Sequence, residues 1–298
     1  MKNKVLLLGG LCIDETLECT NLPKVGQDIM IHSKQTQLGG SCLNVATLLK
    51  RLNKEPLIYS AIGDKDYLDA FQLFTEESFD TTCLYHEDGQ TGSCTILVDE
   101  TKERTFLTYR GIEGNFDEEH IPLELMEDVE WIYLSGIYLV YGLESQKIVP
   151  FLIRMIHQGK KIFFDLGSLV EQIEISLLKE CVSLSSIIKG NDYEIKVLIE
   201  RLQLQHITNI LDSTLRIIIR TMGKDGSTTY LSENTLTVPS VDVSAIDTTG
   251  SGDAFVGAFI ASMIDNLSIQ ECLEIATQYG SIATTHYGGR IPLNIKEA

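Results

Sequence analysis

The sequence is poor in basic residues, and this shortage excludes one class of partner. Its 298 residues include 24 Lys and Arg against 42 Asp and Glu, which gives a formal net charge of −18 at pH 7. So acidic a chain disfavours nucleic acid, because binding to a phosphate backbone depends on basic side chains that displace counterions. It does not disfavour a single nucleotide, since backbone amides and a few side chains can hold phosphates.

Long apolar runs and paired cysteines are also missing. The apolar stretch AFVGAFIASMI at 254–264 is far shorter than the roughly 18 residues of a transmembrane helix. The N-terminus MKNKVLLLGG runs directly into a strand-like segment and has no signal-peptide pattern. The seven cysteines are odd in number and form no CxxC pair or cluster with histidine. We therefore expect no membrane span and a cytoplasmic location.

Short, continuously apolar runs alternate with helix-like segments along most of the chain. The runs are VLLLG (5–9), LIYSAIG (57–63), WIYLSG (131–136), KIFFDLG (161–167), SIIKGN (186–191) and RIIIRTMG (216–223). Continuous hydrophobicity predicts strands buried on both faces of a parallel sheet. Helices are predicted at 41–52, 65–77, 144–157 and 192–202, so the order of elements predicts an α/β fold.

Two regions, about 11–36 and 90–111, interrupt this order with segments typical of antiparallel strands. They predict a small sheet that projects from the main body as a lid. Because the sequence has no Pro/Gly/Ser linker and no internal repeat, we expect a single domain over 1–298 with the lid inserted into it. The unpaired edges of such a lid could be covered by a second copy, which predicts a homodimer.

The strongest motif is DTTGSGDAFVGAFIASMI at 247–264, a glycine-rich turn that runs into an apolar helix. Gly250 and Gly252 allow the backbone to approach a ligand, and the amides of 250–253, Ser251 included, would face an anion at the helix start. Asp253 lies in the first turn, where an acid also simply stabilises the helix dipole. Amides beside a carboxylate are what phosphoryl transfer requires: donors for the transferred group and a base for the attacking hydroxyl.

Over almost its whole length the chain resembles the ribokinase-like (PfkB) family of carbohydrate kinases. The family signature D-T-x-G-x-G-D is matched without a gap by Asp247, Thr248, Gly250, Gly252 and Asp253. The resemblance implies a three-layer αβα fold with a mostly parallel central sheet, ATP as phosphoryl donor and Asp253 as catalytic base. It also implies Mg²⁺, and a monovalent cation such as K⁺ held by Asp247 and Thr249.

A second motif, LGGSCLNVATLLKRL at 38–52, is a Gly-Gly turn before a helix and by itself is weak. It resembles the family's sugar-bordering segment GG-x-x-x-N-x-A through Gly39, Gly40 and Asn44. Asp14 follows the first strand, where the family's acidic residue binds substrate hydroxyls. A carboxylate that accepts from two hydroxyls, with an amide beside it, is sound chemistry for a polyol. The pair Gly9-Gly10 lacks the third glycine of a dinucleotide site.

Asn191 and Glu194 in KGNDYE resemble the family's N-x-x-E motif, with Gly190 in place of the usual proline. The resemblance implies that both act on Mg²⁺ and phosphate through water, whereas the spacing alone also predicts a helix cap. Asp165, at the end of KIFFDLG, has either a metal-assisting or a structural role.

RTMGKDG at 220–226 resembles the family's T-x-G-x-x-G nucleotide segment through Thr221, Gly223 and Gly226, and its simpler interpretation is a hairpin turn. HYGGRIP supplies Gly288 to a loop that the resemblance places over the adenine and the monovalent cation. The segment ATQYG at 276–280 lacks the asparagine that some members place against the base.

Phe106 and Arg110 lie on or beside the lid and are predicted to contact the substrate. An inward Arg110 favours an acidic sugar, whereas a solvated one favours a neutral sugar of the ribose or fructose type. Ser41 stands where ribokinases commonly carry lysine, which weakens the case for ribose. Two alternatives remain: a nucleoside kinase of the adenosine or pseudouridine type, and a non-catalytic sugar or nucleotide sensor.

Overall fold

The structure is a computed structural model that describes residues 3–101, 103–140, 145–211 and 216–291. The described residues form two sheets and a set of helices. The strands are β1 Lys4–Leu8, β2 Cys12–Cys19, β3 Ile31–Gly39, β4 Glu55–Ile62, β5 Leu84–His86, β6 Ser93–Val98, β7 Arg104–Tyr109, β8 Val129–Ser135, β9 Lys161–Asp165, β10 Ile187–Asn191, β11 Ile217–Thr221, β12 Ser227–Tyr230 and β13 Thr235–Val238. The α-helices are α1 Ser41–Arg51, α2 Tyr67–Glu76, α3 Ile148–His157, α4 Ile175–Leu184, α5 Asp192–Arg201, α6 Ser251–Ile264 and α7 Ile269–Ala283.

The large sheet has the strand order β13-β12-β11-β10-β9-β8-β1-β4-β5. The seven neighbouring strands β11, β10, β9, β8, β1, β4 and β5 pair in parallel, and β12 and β13 add an antiparallel edge. All six apolar runs of the sequence are strands of this sheet. The predicted parallel α/β sheet is therefore confirmed.

Both faces of the large sheet are buried, which explains why its strands are apolar without alternation. In β1, Leu6 and Leu8 belong to one apolar cluster, whereas Val5 and Leu7 belong to the other. Helices α3, α4 and α5 contribute to the first cluster, and α1, α2, α6 and α7 contribute to the second. The result is the predicted three-layer αβα arrangement. Trp131 in β8 is part of this core, 1% exposed.

The smaller sheet has the order β3-β2-β6-β7 and contains the two segments predicted to form a lid. Strand β2 pairs antiparallel with β3 but parallel with β6, so this sheet is mixed and not wholly antiparallel. The parallel pairing arises because the large-sheet strand β4 and helices α1 and α2 lie between β3 and β6 in the chain. The interpretation of the whole chain as one domain with an inserted lid remains our proposal.

The predicted helices at 41–52, 65–77 and 192–202 correspond to α1, α2 and α5, with ends that differ by one or two residues. The prediction at 144–157 corresponds to α3, and its first residue, position 144, lies outside the described residues. Within the described ranges, no helix combines the length and hydrophobicity that crossing a membrane requires.

Candidate active site

A cavity of about 1000 Å³ lies where the large sheet, the small sheet and the start of α6 meet. Strands β8, β9, β10 and β11 each contribute the residue at their carboxyl end, which is where open parallel sheets bind ligands. Asp14 lines this cavity together with several residues of the two main sequence motifs: Gly40, Asn44, Gly250, Ser251, Gly252 and Asp253. Asp14 and Asp253 thus face one cavity although 239 positions separate them in the sequence, since 253 − 14 = 239.

Helix α6 begins at Ser251, and Gly250 before it has the left-handed backbone angle φ of 72°. A Cβ atom on Gly250 would lie 2.0 Å from the carbonyl oxygen of Gly289, so the turn requires glycine here. The first amides of α6 have no partner within the helix, and they start at the cavity wall. The predicted anion site therefore has the local geometry that it needs.

Asp253 lies in the first turn of α6, and its Oδ2 accepts a hydrogen bond of 2.7 Å from Nδ2 of Asn44 in α1. Burial raises the pKa of Asp253 to about 7, and the nearby carboxylates of Asp165 and Asp14 add to this rise. The Asn44 hydrogen bond and the Lys189 ammonium act in the opposite direction. A carboxylate with a pKa near neutrality is suited to accept a proton from a hydroxyl and release it again.

Asp14 lies on β2 of the small sheet and accepts a bond of 3.4 Å from the thiol of Cys12. Burial raises the pKa of Asp14 above its ordinary value. Gly39 does not line the cavity, but a Cβ atom there would lie 2.0 Å from Asp14 Oδ2. The Gly-Gly motif thus makes room for the carboxylate that was predicted to bind substrate. Gly40, with φ of 105°, turns the chain into α1.

Lys189 was not identified from the sequence, although it lines the cavity within β10. Its Nζ is 3.0 Å from Oδ1 of Asp165, and a Cβ atom on Gly252 would lie 2.9 Å from the same Nζ. Burial alone would lower the pKa of Lys189, but the carboxylates of Asp165 and Glu194 raise it above the ordinary value. The lysine therefore carries a fixed positive charge beneath the start of α6.

Asn191 and Glu194 form a complete capping box at the start of α5. The Asn191 side chain accepts from the Glu194 amide, while the Glu194 carboxylate accepts from the amide and side chain of Asn191. Burial raises the pKa of Glu194, against the effect of Lys189. Both residues line the cavity. The capping interpretation is therefore seen directly, and the contact with Mg²⁺ through water stays a prediction that this geometry permits.

The expected nucleotide end of the cavity is lined by Thr221, Gly223 and Gly226, where β11 turns into β12. Thr277 and Gly280 of the segment ATQYG also line this end, together with residues that belong to no motif and were missed: Ser240, Val241, Asp242, Val243, Ala245, Ser281 and Thr284. They come from the segment before α6 and from the end of α7. A Cβ atom on Gly280 would lie 3.3 Å from the carbonyl oxygen of Ser251, so this glycine lets α7 pack closely against the start of α6.

Phe106 and Arg110, which are predicted to contact the substrate, both line the cavity. Phe106 on β7 is 51% exposed. Arg110 is neither solvated nor free: it donates to the carbonyl oxygens of Ile137 and Tyr138, and its Nε is 3.5 Å from Oε1 of Glu113. The charge of this arginine is therefore already compensated by protein groups.

Two residues predicted from the family resemblance lie beside the cavity and not in it. Asp247 does not line it, and its carboxylate accepts hydrogen bonds from the Gly288 amide at 2.6 Å and the Thr249 amide at 2.9 Å. Gly288 is likewise absent from the lining, whereas Thr249 is part of it. Arg104, from β7 of the small sheet, forms an ion pair with Asp247 that the sequence did not indicate.

Comparison with known proteins gives consistent results. The profile described as "pfkB family carbohydrate kinase" matches residues 2–296. The ATP-dependent ribose-1-phosphate kinase of Halopiger xanaduensis is 25% identical over 290 residues, covering 96% of this chain and 94% of that protein. The ribokinase of Staphylococcus aureus is 23% identical over 310 residues, covering 100% and 98%.

Solved structures share the fold at low sequence identity. The nucleoside kinase of Burkholderia thailandensis in complex with inosine superposes with a TM-score of 0.81 at 18% identity, covering 96% of this chain and 92% of that one. The ribokinase of Thermotoga maritima superposes with a TM-score of 0.82 at 19% identity, covering 97% and 95%.

Proposed function

Because this chain belongs to the pfkB family of carbohydrate kinases, and so to the phosphotransferases that act on hydroxyl groups, we propose that it phosphorylates a small neutral polyol with ATP. Asp253 is the general base in this proposal, and Asp14 binds the acceptor. The observation that carries it is the position of both carboxylates on one cavity, with Asp253 at the first turn of α6.

In the proposed reaction, Asp14 and Asn44 orient the acceptor so that one hydroxyl lies beside Asp253. Asp253 takes the hydroxyl proton while the oxygen attacks the γ-phosphorus, the bond from that phosphorus to the β,γ-bridging oxygen breaks, and ADP leaves. The amides of Gly250 to Asp253 stabilise the developing charge. Lys189, held 3.0 Å from Asp165, adds a positive charge beneath these amides. Mg²⁺, when bound, neutralises phosphate charge, and the cavity offers Asn191 and Glu194 for its water ligands.

The charges near the lid favour a neutral acceptor. Arg110 is committed to Glu113 and to two carbonyl oxygens, so its charge is not available to a substrate carboxylate beside the lid. Asp14 is an acidic group on the same part of the lining. A sugar acid placed there would be repelled by its carboxylate, which makes binding less favourable. This supports ribose-type or fructose-type acceptors over keto-deoxy sugar acids.

A nucleoside is the second candidate acceptor. Phe106, Tyr109 and Ile96 give the lid side of the cavity an apolar and aromatic wall, which suits a flat base as well as the carbon skeleton of a sugar. The structural neighbour in complex with inosine is a nucleoside kinase. Ribose hydroxyls of a nucleoside would use the same Asp14 and Asn44.

The test is ADP formation by the full chain with ATP and Mg²⁺ against ribose, fructose, gluconate, adenosine and inosine. We expect turnover with a neutral sugar or a nucleoside, lowered about 10²- to 10⁴-fold by Asp253→Asn and kept by Asp128→Asn, which changes an exposed aspartate just before the amino end of β8. A preference for gluconate would refute the neutral-acceptor proposal. ATP binding without turnover on any acceptor would instead support the non-catalytic sensor, for which an intact Asp253 has no use.

Two sequence predictions stay proposals: a cytoplasmic location and a homodimer through the lid. The lid dimer is supported by exposed apolar side chains on β7 and beside β3, with Leu107 57% exposed and Met30 81% exposed. Light scattering on the purified chain tests it, since Leu107→Glu is expected to yield a monomer if this face is the interface.

A further inference from the structure

The ion pair between Arg104 and Asp247 joins the small sheet to the loop that precedes α6. Arg104 is the first residue of β7, and its Nη2 is 2.5 Å from Oδ2 of Asp247. The Asp247 side chain is fully buried and that of Arg104 is 16% exposed. The two residues are 143 positions apart, so the contact is a feature of the tertiary fold alone.

Both oxygens of the Asp247 carboxylate accept hydrogen bonds in this arrangement. Oδ1 accepts from the Thr249 amide, and Oδ2 accepts from both the Gly288 amide and Arg104. These donors fix the turn from Asp247 to Gly250, which in turn sets the direction of the first amides of α6. A buried carboxylate without a positive partner would be strongly destabilised.

Asp247 and Thr249 are also the residues to which the family resemblance assigns a monovalent cation. The arrangement does not fit such an ion, because the Arg104 guanidinium already neutralises the Asp247 carboxylate and would repel a second cation beside it. The Thr249 hydroxyl is buried and has no hydrogen-bond partner, but a neutral hydroxyl cannot offset the repulsion between an added cation and the guanidinium. The charge that the site needs is supplied by the chain itself.

We propose that Arg104 takes the place of the monovalent cation, so that phosphoryl transfer by this protein does not depend on K⁺. Arg104 is then a positioning residue that acts through Asp247 on the amides at the start of α6. Because it is carried by the lid, the charge at Asp247 is complete only while β7 lies against the catalytic loop. The inference deepens the proposed function, but two of its three tests do not require activity.

The first test is thermal unfolding of the full chain in KCl and in tetramethylammonium chloride, each at about 0.1 M so that screening is equal. The wild-type protein is expected to have the same Tm in both salts. Arg104→Ala is expected to have a lower Tm in tetramethylammonium and to recover part of the loss in K⁺, which can reach the exposed carboxylate. A wild-type Tm that is higher in KCl than in tetramethylammonium chloride would overturn the proposal.

The second test is crystallographic and uses Tl⁺, whose anomalous scattering marks sites that accept K⁺. We expect a peak beside Asp247 in Arg104→Ala and none there in the wild-type protein. A peak at that position in the wild-type crystal would refute the inference, whatever the activity of the protein.

The third test measures kcat on the best acceptor. The wild-type kcat should change less than about twofold on adding K⁺. Arg104→Ala should lose about tenfold or more in kcat while its acceptor KM stays the same. Adding K⁺ or guanidinium ion should restore part of the activity of this variant. Arg104→Lys should retain part of the activity. The control is Lys34→Ala, which removes a lid cation paired with Glu15. Equal losses in both alanine variants, without rescue, would count against a specific role for Arg104.

Discussion

Replacing the proposed base, Asp253, by asparagine is expected to lower activity and to raise stability at the same time. Asparagine has the same shape and still offers a carbonyl oxygen to Nδ2 of Asn44, which now donates over 2.7 Å. It cannot accept a proton. We expect kcat to fall by about 10² to 10⁴, the range for loss of a general base, with substrate binding largely kept.

The stability change follows from the Asp253 pKa, which burial raises from the ordinary 3.8 to about 7. At about 1.4 kcal/mol per pH unit, the ionised side chain is at most about 4 kcal/mol less stable in the folded protein than in water. The side chain keeps part of its surface on the cavity, so we expect about 2–3 kcal/mol in practice. Asparagine carries no charge and avoids this cost.

The sign depends on pH. Between about pH 4 and 7 the folded protein binds a proton at Asp253 that the unfolded chain has already released. Its free energy of unfolding therefore falls as the pH rises through this window. Asp253→Asn and the wild-type protein should be equally stable near pH 4, and the variant should be more stable at pH 8.

Urea unfolding at pH 4, 6 and 8 measures this difference, with Asp128→Asn as the control on an exposed aspartate. The control should change neither kcat nor the pH dependence. Unchanged stability of Asp253→Asn at pH 8 would show that Asp253 is not held in a desolvated site. Near-normal turnover of the variant would refute its role as base.

Three further results are expected. The value of kcat/KM should fall about tenfold per pH unit below about pH 7 as Asp253 is protonated. Lys189→Met should move this acidic fall in kcat/KM to higher pH, because the Lys189 ammonium lowers the Asp253 pKa. An acidic fall at the same pH in the variant would contradict this. Asp14→Asn should raise the acceptor KM about 10- to 100-fold through lost charge-assisted hydrogen bonds, while the KM for ATP stays constant. An equal rise in both KM values would argue against a role for Asp14 in acceptor binding. Gly250→Ala should abolish activity or folding, because the added Cβ would meet the Gly289 carbonyl. The control Gly26→Ala, at a glycine with φ of 80° and no atom within 4 Å of the added Cβ, should lower stability by only about 1 kcal/mol. Similar losses of stability in both variants would show that the backbone angle alone is responsible.

Most of the large sheet could be predicted because its strands are buried on both faces and therefore read as uninterrupted apolar runs. Strand β12, by contrast, contains polar residues such as Thr228 and Thr229 and was anticipated only as one arm of a hairpin turn. Mixed pairing in the small sheet could not be predicted, since local pattern identifies strands but not their partners. Only tertiary structure brings β2 beside β6.

The candidate site was predictable where residues form a contiguous motif, as in DTTGSGD. Lys189 was missed because a lysine within the run SIIKGN has no local pattern that separates it from an ordinary strand residue. Its partner Asp165 lies on the neighbouring strand, 24 positions away. Arg104 was missed for the same reason. Ion pairs across a fold depend on strand order and register, which the sequence pattern does not contain.

The motif contains two carboxylates, Asp247 and Asp253, that the fold treats in opposite ways. Asp247 is surrounded by two amides and the Arg104 guanidinium, so its charge is compensated and it holds the turn. Asp253 has one amide donor from Asn44, and burial raises its pKa to about 7. A group that exchanges protons needs such weak compensation, whereas a group that fixes the backbone needs the opposite. The difference in partners, and not the shared residue type, is why we assign the proton transfer to Asp253 and the positioning of the amides to Asp247.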